Sequence, residues 1–148
     1  MAISTIKFSE FVDAGNLGSS DVVVGLDTGV NARFNAITGD GLTWSADTTG
    51  TIAAAVENGY VCENAGVTTV TLPSTAPLGS VIEVEGAGAG GWVLTAGIGQ
   101  TIQIGTSVTS AGGTLTSAAP TDGISVVCID ENLVWRVRTT NSTGLTVA

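Results

Sequence analysis

The chain has 148 residues, enough for one ordinary domain or for a short arm plus a domain of about 100 residues. Hydrophobic residues make up 43% of it and charged residues only 11%, against about 25% charged in a typical soluble domain, which points to a packed core and away from disorder. Lys7, Arg33, Arg136 and Arg138 are the only basic residues against 13 acidic ones; a formal charge of −9 leaves nothing to track phosphates and nothing to draw the chain to anionic lipid, so neither nucleic acid nor membrane is an expected partner.

Met1–Lys7 runs straight into Phe8-Ser-Glu10, which breaks any signal-peptide core, and no stretch approaches the roughly 18 apolar residues of a membrane span. Synthesis in a cytoplasm without membrane insertion is the expectation. Phe8–Val12 fits a single helical turn, and Asp13–Ser20 is loop by composition. Asp21–Leu26 reads as a strand, Asp27–Gly29 as a turn, and Val30–Phe34 alternates, with Val30, Ala32 and Phe34 on one side. Residues 1–35 thus form an arm with one hairpin, marginal alone in water and in need of a docking surface. Phe8, Phe11 and Val12 are its candidate assembly residues.

Residues 36–148 carry the β-domain. Up to Gly59 the pattern is open: Gly39-Asp-Gly41 and Asp47–Gly50 are turns around Leu42 and Trp44, and Ile52–Val56 suits a helical turn, a connector or a strand. From Tyr60 the chain is a succession of short strands: Tyr60–Cys62, Val67–Leu72, Ser80–Glu85, Trp92–Thr95 and Thr101–Ile104. Ser80–Glu85 has the clearest period of two, with Ile82 and Val84 inward and Glu83 and Glu85 outward. Gly86–Gly91 reads as a bend requiring positive φ or close backbone approach, since no Lys-Ser/Thr follows it to make a phosphate loop. Thr106–Thr121 is polar and reads as a loop or edge ribbon holding Leu115. Ile124–Ile129 and Leu133–Arg138 form the firmest hairpin, turning at Asp130–Asn132. Short strands divided by Gly, Pro and Asn turns predict an all-β fold, a β-sandwich or jelly-roll-like domain behind an N-terminal arm. No charge falls between Gly86 and Thr121, so part of that span, Trp92 included, is expected to lie under another chain.

For chemistry the inventory is thin. The chain has no His, and Lys7 is its single lysine, so no nucleophile–base system, metal set or cofactor site is expected. Glu83 and Glu85 share a strand face and could act as a carboxylate pair, but the same alternation is what any solvated strand shows. Cys62 and Cys128 read as reduced core residues. Trp44 and Tyr60 are the candidate stacking residues for a glycan, Trp44 being the best candidate for an exposed aromatic.

Two stretches resemble a known group. Phe8–Gly15, Asp21–Leu26 and Gly29–Phe34 resemble the N-terminal segment of tailed-bacteriophage structural proteins, mostly tail-fibre-like ones. Asn58-Gly-Tyr-Val61, Val70–Ala76, Leu78–Val84, Gly88-Ala-Gly-Gly-Trp92, Gln100–Gly105, Val126-Val-Cys128 and Trp135-Arg-Val137 resemble a β-domain that recurs in phage and prophage tail proteins. The resemblance implies a virion structural protein, tail or tail-fibre associated, working as a homotrimer among other virion proteins and bringing no catalytic residues. A capsid decoration (cement) protein and a carbohydrate-binding module for a host surface glycan are the alternatives.

Overall fold

The computed structural model describes residues 21–23, 33–35 and 41–148, and the chain divides into two compact units, Met1–Gly41 and Leu42–Ala148. In the first unit β1 (Asp21–Val23) pairs antiparallel with β2 (Arg33–Asn35), setting Val22 beside Phe34, as the alternation of Val30–Phe34 leads one to expect. The expected turn at Phe8–Val12, with Phe8, Phe11 and Val12 themselves, lies outside the described residues.

The second unit is all-β, built from two mixed sheets. Its first six strands are β3 (Thr43–Asp47), β4 (Thr51–Ala53), β5 (Asn58–Cys62), β6 (Thr68–Thr71), β7 (Val81–Gly86) and β8 (Trp92–Thr95). They alternate between the sheets: β3, β5 and β7 are parallel neighbours in one, and β4, β6 and β8 in the other. Parallel neighbours need a long crossover, and here each crossover is itself a strand of the opposite sheet. The chain therefore winds, and each pair of strands is one rung resting on the next.

The remaining strands close the winding from its far end. They are β9 (Thr101–Ile104), β10 (Ser107–Val108), β11 (Thr114–Ser117), β12 (Gly123–Asp130), β13 (Val134–Asn141) and β14 (Leu145–Val147). β12 lies antiparallel beside β7, β13 beside β12, and β9 joins β13 in parallel, giving the order β10-β9-β13-β12-β7-β5-β3. In the other sheet β11 pairs antiparallel with β8 and β14, giving β14-β11-β8-β6-β4.

One apolar cluster takes side chains from both sheets: Ile82, Val84, Ile102, Val126 and Trp135 from the larger, Val70, Trp92, Leu94 and Leu115 from the smaller. Alternation accounts for this wherever it is clean, as at Ile82 and Val84. Part of the charge-free span from Gly86 packs into its own domain. Trp92, Leu94, Ala96, Ile102 and Leu115 are buried by their own domain. Trp92 is thus not an assembly-surface residue: the period of β8 turns it inward with Leu94, and its indole Nε1 donates to the Asp122 carbonyl at 2.7 Å. Thr106–Thr121 is not merely loop either, because β11 sits between two neighbours and buries Leu115 fully.

The corners between sheets stack on one another through backbone. Gly88 N–H donates to Cys62 O, Thr69 N–H to Gly50 O and Thr68 N–H to Gly91 O. A methyl group on Gly88 would meet the backbone of Glu63 and Asn64, and one on Gly90 would meet Gly66 and Val67. The glycine-rich stretch is therefore a bend made for close backbone approach. Gly90→Ala is expected to lower stability by about 1–3 kcal/mol, the cost of overpacking a tight contact. Urea unfolding would check it, with Gly99→Ala as the reference; Gly99 has φ +79° but open space around its Cβ position, so that variant meets backbone strain alone.

Asp122 ties the winding to its closure. Its carboxylate accepts from Ala118 N–H (2.7 Å), Ala119 N–H (2.8 Å) and Thr143 N–H (3.0 Å), while its carbonyl accepts from Gly86 N–H and Trp92 Nε1. Burial pushes its pKa up, but those N–H groups and the Ser142 hydroxyl outweigh it and hold the carboxyl below its ordinary value. A group depressed by folding contributes stability above its unfolded pKa, about 3.9, and that contribution drains away as pH falls through the lower folded value. Asp122→Ala leaves backbone donors stranded and is expected to cost about 1–3 kcal/mol at pH 7. The gap between variant and parent should narrow below about pH 4, as read by denaturant melts across pH.

Candidate functional site

The outer face of the seven-stranded sheet carries a concave polar feature. Alternation along β7 turns Glu83 and Glu85 outward. The ladder sets Glu83 beside Ser125 and Glu85 beside Gly123 of β12, which in turn lie beside Thr139 and Asn141 of β13. A register shift between Ser125 and Val126 marks a bulge there, and bulges bend a strand locally. These residues, with Ile124 and Thr140, line a shallow groove of about 140 Å³.

Glycine at position 123 makes room for one carboxylate: any Cβ there would collide with the Glu85 carboxyl oxygens. Burial, and after it the Glu83 charge, push the Glu85 pKa above its ordinary value. Neither glutamate accepts a hydrogen bond or meets a cation among the described residues, and Arg136 is engaged instead with Gln103 Oε1 at 2.9 Å. Ser125 completes the set. It is only 4% exposed, and its Oγ has no hydrogen-bond partner although it lines the groove.

The two aromatic candidates separate. Tyr60 belongs to the core, with its hydroxyl accepting from Ala55 N–H at 2.8 Å, so it offers no stacking face. The inward phase of β5 puts it there. Trp44 is 42% exposed, and its ring lies over Gly59, where a Cβ would run into it. Gly59 is the ladder partner of both Trp44 and Glu83. One row of the sheet thus reads Trp44, Gly59, Glu83, Ser125, Thr139. Sequence reasoning found Trp44 and Glu83 separately. It missed Ser125, which lies in an apolar run and carries no signal of its own.

No group of three or more His, Cys, Asp or Glu among the described residues is placed to hold a metal ion. The glutamates are strand neighbours on one groove wall, and among the described residues no nucleophile with a base partner faces them. No protein-family model matches the chain, and no curated protein matches it in sequence.

Both cysteines are free and buried. The Cys128 thiol donates to Ala76 O and Asp130 O, each at 3.3 Å. Burial pushes the Cys62 pKa up to about 11; the Thr68 hydroxyl pulls it back and the Asp47 charge adds to the rise. A buried thiol with so little thiolate is a poor nucleophile. A disulfide-exchange reagent at pH 8 is expected to label neither cysteine in the folded protein and both in denaturant. Rapid labelling of Cys62 in the native state would contradict this.

Proposed function

We propose that this protein is a structural component of a tailed-phage virion, associated with the tail or its fibres, that it works as a homotrimer among other virion proteins, and that it catalyses nothing. We read the second unit as a β-sandwich made by winding, in which the sheets enclose the core and the rim strands serve for assembly. The resemblance of Phe8–Phe34 and Asn58–Gly105 to tail-fibre-like proteins supplies the setting.

The observation that carries the reading is the first rung. Among the described residues β3 pairs only with β5, and β4 only with β6. Thr43 N–H donates to Glu57 O and Asp47 O accepts from Glu63 N–H, so residues 43, 45 and 47 face β5. In a parallel ladder the alternate residues Trp44 and Ala46 then point their N–H and C=O groups outward. Edge strands are usually guarded by lysine, proline or a bulge. Thr43-Trp-Ser-Ala-Asp47 has neither lysine nor proline, and its pairing with β5 runs without a break. Such an edge suits strand addition by a second copy.

Light scattering at micromolar concentration is expected to report a trimer in place of the 14.7 kDa monomer. Ala46→Pro removes an N–H that the β3–β5 ladder does not use, a position where a strand accepts proline. It should weaken association while leaving the circular dichroism spectrum unchanged. A monomeric parent would refute the trimer. Antibody labelling of intact particles tests the place: label at the tail or fibre tips is expected, whereas label spread over the shell would identify a cement protein instead.

A further inference from the structure

We infer that the outer face of the seven-stranded sheet is a binding site for a neutral oligosaccharide, with one pyranose ring on Trp44 and the next ring's hydroxyls in the groove at Glu83, Glu85 and Ser125. The inference stands apart from the tail reading and would hold for a module of any origin.

Three observations meet in one row of the sheet. Trp44 lays its indole over Gly59, and the absence of a side chain there lets the ring lie flat on the strand with its other face outward. Strands are spaced by about 4.8 Å, so Glu83 lies one strand beyond the ring's seat and Ser125 two, at roughly 10 Å. That is the reach of a linked pair of sugar rings, and more than a single ring spans. The chemistry along the row changes in the order such a ligand needs: first an aromatic face for the C–H side of a ring, then acceptors for its hydroxyls.

The polar groups that face the groove decide the class of ligand. Glu83 and Glu85 are acceptors without a donor among the described residues, and the buried Ser125 Oγ is a hydroxyl without a partner. A buried polar atom left unpaired costs free energy, and its persistence where it lines a groove points to a partner brought from outside. Sugar hydroxyls both donate and accept, so one ligand can donate to the two carboxylates and pair the Ser125 hydroxyl. Thr139, Thr140 and Asn141 line the rest of the groove with neutral polar groups. Two carboxylates on a chain of net charge −9 repel uronic and sialic acids, which restricts the ligand to neutral sugars. A bare divalent cation would satisfy the carboxylates but has no use for the indole face.

The test titrates the intact chain with maltose, cellobiose, lactose and chitobiose, following tryptophan fluorescence, alongside a glycan array. Trp92 and Trp135 are fully buried, so a change on binding reports Trp44. At least one disaccharide should give a saturable change and bind more tightly than its methyl monosaccharide. Trp44→Ala should abolish binding, Trp44→Phe should keep part of it, and Glu83→Gln and Ser125→Ala should each weaken it several-fold without lowering the thermal melt. Should Trp44→Ala prove unstable, the Glu83→Gln and Ser125→Ala variants decide alone. A silent panel and array would overturn the inference. So would binding that is indifferent to Glu83→Gln and Ser125→Ala, or a saturable response to CaCl2 in a protein that responds to no sugar.

Discussion

A single buried carboxylate holds the two halves of the β-unit in register. Asp122 binds the turn before it through Ala118 and Ala119, and the C-terminal turn through Thr143. Through its carbonyl it also holds Gly86, at the end of β7, and the indole of Trp92 at the start of β8. The wound strands and the strands that close over them therefore meet at one residue. A carboxylate buried among its own backbone donors is a rigid joint, because each N–H it accepts fixes a segment of chain. The indole of Trp92 and the end of β7 are held by the carbonyl of the same residue, and the β12–β7 ladder begins at the next one.

How much of this is legible in the sequence depends on what kind of information each feature needs. Strands with clean alternation are legible: Ser80–Glu85, Trp92–Thr95 and Thr101–Ile104 follow from period and turn residues, the first within one residue of β7 at each end. Pairing is not. The pattern of β5 and β7 is the same whether they lie parallel or antiparallel, so winding and a jelly roll look alike until the register is seen. β11 is hidden for another reason. Thr114-Leu-Thr-Ser117 has one apolar residue, and its place inside a sheet is set by the neighbours that flank it. Asp122 looks like any acidic turn residue, since its partners are backbone groups with no sequence signature. β14 falls beyond the last alternating run and is held through β11.

The candidate site has the same history. Period two shows that Glu83 and Glu85 face outward, but an outward face is solvated in most strands. What singles these two out is their company across the ladder, and that company comes from β3, β5, β12 and β13. Trp44 is legible as an exposed aromatic, while Tyr60 drops out as a stacking candidate because β5 turns its ring inward. Gly59, which reads as a break before a strand, is the seat on which the indole rests.

The place of β12 in the larger sheet also governs the order in which the molecule can be made. β7 receives its second neighbour only from residues 123–130, so a nascent chain that has completed β3 to β8 still carries a bare strand in what will become the middle of its sheet. Non-local pairing of this kind folds slowly and leaves unpaired strand edges in its intermediates. Until the C-terminal quarter has left the ribosome, the larger sheet of the half-made domain presents two free flanks, one at β3 and one at β7. Several chains made side by side could then join through the wrong one. The yield of correctly closed protein should therefore depend on how crowded synthesis is.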